Sequence, residues 1–266
     1  MSSLQIIGNA SAAPPPNGAC SAYLVWSPAA TVLLDIGPGS LGYLRAATSV
    51  HALDAIFITH MHTDHFLDLL ALNVALFTEP GPRTEHGARW RLPVYLPLGG
   101  FETVDACFKA LSRGVSGTNA ARYAEALAVR EYDPAETITV ADQAVTFIGP
   151  TKHSQADYGM RLQVVGGGLL GYTGDTARCD AAVEVGRGAD IFLAECTLMT
   201  PGPASVTHTC ADELVEMALL ARPGQLRATH FLDHSPSWRA ELARRLERDL
   251  GATETSVVSR GDIYDF

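Results

Sequence analysis

Apolar and polar positions along this chain change over in short bursts rather than in long helical stripes. Runs rich in Val, Ile, Leu and Tyr recur between turn residues at Leu4–Ile7, Ala22–Trp26, Thr31–Ile36, Ala55–Thr59, Val94–Leu96 and Thr137–Val140, then at Val145–Ile148, Met160–Val165, Leu169–Thr173, Ile191–Ala194, Leu226–Thr229 and Thr255–Ser259. Short, turn-bounded apolar runs of this kind predict strands. Helical periodicity falls between them at Phe66–Phe77, Phe101–Ser112, Ala120–Val129, Ala181–Gly186, Ala211–Ala221 and Pro236–Leu250. Strands outnumber helices, and strand meanders at both ends with helices between them predict an α/β fold of two sheets covered by helices. The Phe66–Phe77 helix is apolar almost all round, which predicts burial. Thr78–Arg91 and Arg113–Glu136 read as surface loops, with a lid or an oligomer contact as the alternatives.

Composition narrows this picture. A chain of 266 residues, 47% of them hydrophobic, can bury a sizeable core, and its 24 Gly and 15 Pro are dispersed as turn punctuation, so one domain over 1–266 is expected. The formal net charge of −10 argues against holding a polyanion through general electrostatics, which requires basic clusters. Arg239, Arg244, Arg245 and Arg248 gather late, but Glu241, Glu247 and Asp249 are interleaved with them, as on a solvated helix face. The five cysteines are far apart and form no Cys-x-x-Cys pair, which fits a reducing compartment. The opening MSSLQIIGNASAAPPP lacks a positive segment followed by a long apolar one, and no run approaches the ~18 apolar residues of a membrane span. A cytoplasmic location, without membrane contact, is the resulting expectation.

The chemistry concentrates in residues 57–68, FITHMHTDHFLD, where a strand runs into His60, His62, Asp64 and His65. These residues sit on the strand-to-helix turn, where side chains can converge above a sheet edge. His60 and His62 can chelate one ion while Asp64 and His65 reach a second, and imidazole with carboxylate suits zinc, with manganese, iron or cobalt as alternatives. An isolated histidine would read as a core or capping residue; four ligand types in six positions at a strand end point to metal. His153, Asp175 and His230 repeat the same grammar, each following an apolar strand: VTFIGP, LLGYTGD and LRATH.

On these residues the chain resembles the metallo-β-lactamase-fold hydrolases. HMHTDH at 60–65 matches their His-x-His-x-Asp-His motif without substitution, and His153, Asp175 and His230 stand in the order and strand context of the later ligands. The resemblance covers nearly the whole chain. It implies an αββα sandwich with two divalent ions at one edge, most simply Zn2+, with Mn2+ or Fe2+ as alternatives. His60, His62 and His153 would bind one ion, Asp64, His65 and His230 the other, and Asp175 would bridge them.

A narrower resemblance, to the branch containing tRNA 3′-end endonucleases and related phosphodiesterases, rests on DIGPGS at 35–40 and LAECTLMTPGPASVTHTC at 193–210. It implies roles for Asp35 and Gly37 in an early turn, for Glu195 after a late strand, and for His208 ahead of a helix. His208 precedes Thr209-Cys210-Ala211-Asp212, which reads as a Thr-x-x-Asp capping box, so His208 is expected at a helix N-terminus that favours anions. With Asp64, the residue that hydrolytic members of the family use, His208 as general acid and Glu195 orienting it, the expected activity is hydrolysis of a small nucleotide-like or cyclic-nucleotide phosphodiester through a metal-bridging hydroxide. Only 21 residues separate His153 from Asp175, too few for a tRNA-gripping arm, which demotes tRNA processing and nucleic-acid partners. The loop Ile7–Pro14 carries Asn9 where relatives often have a second glycine. A carbonyl hydrolase (thioesterase, lactonase or β-lactamase-like) and an iron-dependent oxidoreductase are the competing readings, and the resemblance implies a homodimer acting on a small anionic substrate. His51, His86 and His234 fit no ligand position and read as surface residues.

Overall fold

The computed structural model describes residues 2–82, 90–111 and 125–266. Half of Thr78–Arg91 and the first half of Arg113–Glu136, together with His86, lie outside the described residues. The chain forms two seven-stranded sheets. The first contains β1 (Ser3–Gly8), β2 (Ala22–Trp26), β3 (Thr31–Leu34), β4 (Ala55–Phe57), β5 (Leu92–Leu96), β6 (Leu127–Glu131) and the last strand, β14 (Ile263–Asp265). The second contains β7 (Ile138–Val140), β8 (Gln143–Ile148), β9 (Gly159–Val164), β10 (Leu169–Tyr172), β11 (Ile191–Glu195), β12 (Gln225–Thr229) and β13 (Glu254–Val257). Strand order is 14-1-2-3-4-5-6 in one sheet and 13-12-11-10-9-8-7 in the other.

Each sheet is antiparallel on one side and parallel on the other. β14, β1, β2 and β3 pair antiparallel while β3 to β6 run parallel; β7 to β10 pair antiparallel while β10 to β13 run parallel. This arrangement points the carboxyl ends of β3, β4, β8, β10, β11 and β12 at a common edge, the place where open sheets with parallel strands present ligands.

The two-residue alternation of a strand explains the layering. Tyr23 and Val25 face the second sheet and join Phe57, Phe147, Met160, Leu162, Tyr172 and Phe192 in the central core. Leu24 faces the opposite way and packs with Leu33, Ile56 and Ile58 against the helices of the first sheet. Those helices are α1 (Ser40–Ala47), α2 (Thr63–Phe66), α3 (Leu69–Thr78) and α4 (Gly100–Leu111), which contribute Leu44, Phe66, Leu69, Leu72, Leu76, Val104 and Phe108. Over the second sheet lie α5 (Asp180–Gly186), α6 (Ala211–Ala221) and α7 (Pro236–Asp249). α7 starts at Ser235, whose hydroxyl accepts from Trp238 N–H, with Pro236 at the first helical position, and buries Leu242 and Leu246 one turn apart. Among the described residues no helix is long and apolar enough to cross a membrane.

Three expectations are corrected. The single buried helix over Phe66–Phe77 is two helices, because Asp68 N–H donates to Ile36 O and its carboxylate accepts Leu41 N–H, pulling the chain out of register between α2 and α3. Nor is it buried all round, since Val74 is 56% exposed. The helix expected over Ala120–Val129 ends early: Glu125 and Ala126 are helical, but Leu127–Glu131 is strand β6, paired residue for residue with Leu92–Leu96, and tertiary pairing overrides local propensity. α1 and β14 had no clear local signal. β14 exists because Asp265, Tyr264 and Ile263 pair with Ser3, Leu4 and Gln5.

Phe57 joins the core to the site-bearing edge, its ring fully buried and stacked 4.8 Å from Tyr95 with Phe147 at 6.2 Å. Phe57→Ala is expected to lower unfolding stability by about 3–5 kcal/mol, read as a reduced urea midpoint at unchanged slope.

Candidate metal centre

The ligand-rich turn is built by backbone bonds that continue past β4. Ile58 N–H donates to Tyr95 O, His65 N–H to His62 O, and Ile36 N–H to His65 O, so the turn is tied both to β5 and to the segment after β3. Gly37 makes the last contact feasible: a Cβ there would lie 1.9 Å from Asp64 O and 2.7 Å from Cys20 Cβ. The Asp-x-Gly turn thus needs its glycine for close backbone approach.

All seven expected ligands meet at this edge. His60, His62, His153 and Asp175 form one group, and Asp64, His65, Asp175 and His230 a second, with the ligand atoms of each group within 4.8 Å of one another. Asp175 is common to both. His62 Nδ1 lies 3.0 Å from both His60 Nε2 and His153 Nε2, and His65 Nε2 lies 3.3 Å from His230 Nε2 and 3.3 Å from Asp175 Oδ1.

Outer hydrogen bonds assign the tautomers. Asp35 Oδ2 accepts from His65 Nδ1 at 2.8 Å, and the Thr207 carbonyl accepts from His153 Nδ1 at 2.9 Å. The Thr59 hydroxyl donates to Asp35 and so accepts from His60 Nδ1 at 3.1 Å. The Thr197 hydroxyl donates to Glu195 at 2.6 Å and so accepts from His230 Nδ1 at 3.0 Å. In its neutral form each of these four rings turns an unprotonated Nε2 inward, where it meets other lone pairs and two carboxylates. Asp175 Oδ1 is buried with no hydrogen-bond donor. Acceptors packed against acceptors are satisfied by a cation, and a nitrogen and oxygen donor set of this kind suits a divalent ion.

The same crowding sets the proton equilibria. Burial, reinforced by neighbouring imidazoles, pushes His60 well below the ordinary histidine range and lowers His62 and His153. His65 is also penalised by burial, yet the charges of Asp175 and Asp35 raise it well above that range. Against the cost of burial, His230 and His65 hold the carboxyls of Asp64 and Asp175 below the usual range. Asp64 Oδ2 also accepts the Ala12 N–H at 2.7 Å, so the loop carrying Asn9 reaches the site through its backbone. Asn9 itself braces that loop: its Nδ2 donates to Val258 O, and its carbonyl accepts from Phe231 N–H.

His208 lies at the rim of the cluster. Its Nδ1 is 3.1 Å from Glu195 Oε1 and 4.0 Å from Asp175 Oδ2, and its side chain is 19% exposed while the seven-ligand cluster is more enclosed around His60, His65, His153 and His230. Burial opposes the imidazolium, but the hydrogen bond and charge of Glu195, followed by Asp175 and Asp64, raise His208 above its ordinary value. Glu195 is fully buried and accepts from Thr176 N–H, Thr197 N–H, the Thr197 hydroxyl and Thr209 N–H. Although it falls in a third group with Asp175, His208 and His230, its oxygens are already engaged, which makes it an orienting group for His208.

The expected Thr209–Asp212 capping box is not what forms. The helix begins after Cys210, Glu213 accepts the Cys210 N–H, and the Thr209 hydroxyl instead donates to Thr176 O. His51 and His234 are half-buried rather than surface residues, His51 against Gly81 and His234 against the Phe231 ring. Residues that local sequence did not single out are Thr59, Thr197, Tyr172 and Asp157. Tyr172 OH donates to Asp35 Oδ2 at 2.7 Å, and Asp157 Oδ2 lies 3.4 Å from His60 Nδ1. The available signal for Asp157 was an acidic residue next to the apolar strand YGMRLQVV.

Comparisons with known proteins agree with this geometry. Residues 30–231 match the family model described as a beta-lactamase superfamily domain. The chain is 26% identical to the probable metallo-hydrolase YhfI of Bacillus subtilis (strain 168), over 85% of each chain. It is 28% identical to ribonuclease Z of Mycobacterium marinum (strain ATCC BAA-535 / M), over 91% of this chain and 92% of the relative. The crystal structure of the metallo-beta-lactamase fold protein YhfI superposes with a TM-score of 0.82 at 22% identity over the whole of both chains, and that of a diphosphatase from the PhnP family with 0.76 at 21% identity, over 100% of this chain and 98% of the other. With its family model, its paired sheets and its His/Asp clusters suited to divalent metals, the chain belongs to the beta-lactamase superfamily and has the metallo-β-lactamase fold.

Proposed function

We propose that this metallo-hydrolase is a phosphodiesterase acting on a small nucleotide-like or cyclic-nucleotide diester. His60, His62 and His153 would hold one divalent ion, Asp64, His65 and His230 the second, and Asp175 would contact both. Two such ions supply Lewis acidity towards phosphoryl oxygens and acidify water between them. Against two divalent ions, Asp64 and Asp175 leave a formal charge of about +2, a local anion trap within an acidic chain.

The observation that carries the reading is the His208–Glu195 pair beside Asp175. Cleavage of a phosphodiester leaves an alkoxide that needs a proton. Glu195 occupies His208 Nδ1 and favours the protonated ring, leaving the second nitrogen to serve a substrate oxygen. A carbonyl hydrolase has less use for such a group. The relatives' names, a ribonuclease and a diphosphatase, denote chemistry at phosphorus and favour the same reading. The span between His153 and Asp175 is occupied by the β9–β10 hairpin, which closes at Gly166–Gly168 and leaves no arm for a folded RNA, so a compact substrate is preferred.

Three measurements check this proposal. Dialysis against a strong chelator is expected to abolish hydrolysis of bis(p-nitrophenyl) phosphate, and Zn2+ or Mn2+ to restore it; undiminished turnover in metal-free protein would overturn the metal reading. His208→Ala is expected to reduce kcat on a cyclic-nucleotide diester, whose leaving group is an alkoxide, by about 10²- to 10⁴-fold while affecting bis(p-nitrophenyl) phosphate less and sparing any thioester or lactone turnover, and equal losses on the cyclic diester and the carbonyl substrates would favour carbonyl chemistry. Glu195→Gln removes the charge that raises His208, so the alkaline limb of the kcat–pH profile, where the acid loses its proton, should move to lower pH; an unmoved limb would detach Glu195 from this role.

A further inference from the structure

We propose that Asp157 is a positioning residue that assembles the His60–His62–His153 half of the centre, an inference that rests on the two-ion reading above. Asp157 lies in the loop between His153 and β9 and is completely buried. Its Oδ2 accepts the Asp175 N–H at 2.7 Å and lies 3.4 Å from His60 Nδ1. Its main-chain carbonyl accepts from Thr151 N–H at 2.9 Å and from the Thr151 hydroxyl at 3.3 Å, two residues before His153. One residue thus touches the segments that carry His60, His153 and Asp175. Among the described residues its hydrogen bonds and ion pair do not extend to Asp64 or His230.

Two further features show that the site is built around this carboxyl. Gly174 adopts φ +63°, and a Cβ there would fall 2.6 Å from Asp157 Oδ1 and 2.9 Å from Oδ2. The glycine of Thr173-Gly174-Asp175 therefore makes the space the carboxyl occupies. Asp157 Oδ1 is buried with no hydrogen-bond partner, an unfavourable arrangement that an apolar side chain in the same space would avoid. Its contacts with the ligand-bearing segments account for an acidic residue there. Asp35 has the corresponding place in the other half, 2.8 Å behind His65 Nδ1. A carboxylate that accepts from the outer nitrogen, as Asp35 does, fixes ring orientation and raises ligand basicity; His60 Nδ1 is engaged by Thr59, so Asp157 acts by contact with that ring and through the Asp175 amide and the Thr151 backbone.

The test is metal affinity, measured by competition between the metal-free protein and a chromophoric chelator for Zn2+, with Co2+ absorption spectra reporting each half. Wild type is expected to take up two ions, and His153→Ala and His230→Ala one each. Adding Asp157→Ala to His230→Ala should weaken the remaining ion by about 10- to 100-fold, whereas adding it to His153→Ala, where Asp157 reaches the remaining ion only through the shared Asp175, should weaken it clearly less. Asp157→Asn, which keeps an acceptor for the Asp175 amide, should recover most of the loss. Equal weakening in the two backgrounds, or none in either, would overturn the proposal. Should Asp157→Ala not fold, Asp157→Ser replaces it in the same comparison, and failure of both to fold would assign the residue to packing and overturn the proposal equally. A wild-type protein that takes up fewer than two ions would instead remove the two-ion reading itself.

Discussion

Lone pairs crowd together at one edge of this sandwich because the hydrogen bonds behind them permit no other arrangement. Asp35, Thr59, Thr197 and the Thr207 carbonyl each engage the outward nitrogen of a ligand histidine, which turns the basic nitrogen inward. Four imidazoles oriented in this way, with His62 Nδ1 and the carboxylates of Asp64 and Asp175, form a crowded acceptor cluster in which Asp175 Oδ1 is buried without a donor. The rigidity of that outer ring, rather than the ligands alone, makes the cluster a receptor for cations.

The sheets supply this rigidity. Parallel strands are covered on both faces and present their carboxyl ends at one edge, so β3, β4, β10, β11 and β12 deliver side chains there from a backbone fixed by apolar packing. Two tyrosines mark the transition from oil to chemistry. The rings of Tyr23 and Tyr172 lie 4.8 Å apart in the core, while their hydroxyls reach Thr229 and Asp35 just beneath the ligands. A shift in either sheet would therefore be felt by both halves of the centre.

Within the site, burial separates two kinds of histidine. His60, His65 and His230 are enclosed and held against carboxylates, which suits constant coordination; His208 is partly exposed and held by Glu195, which suits an exchangeable proton. An acidic chain and a centre loaded with two divalent ions would be compatible, because the charge that a small anion would meet is local.

The candidate ligands were legible in the chain itself: chelation demands particular atoms, and the turn after an apolar strand is a place where such atoms can converge. That is why His60, His62, Asp64, His65, His153, Asp175 and His230 could be named before any coordinates, and why most strands were placed within a residue or two. Other features depended on which segments become neighbours. The break at Asp68 comes from the Ile36 carbonyl and the Leu41 amide in the first turn of α1, β6 and β14 exist through pairing with β5 and β1, and the Cys210 cap is completed by Glu213 rather than by the motif read at Thr209. The roles of Asp35, Thr59, Thr197 and Asp157 are of the same kind. A carboxylate or hydroxyl acquires such a role only when folding sets a histidine against it, and that proximity is a non-local fact which no local pattern of residues encodes.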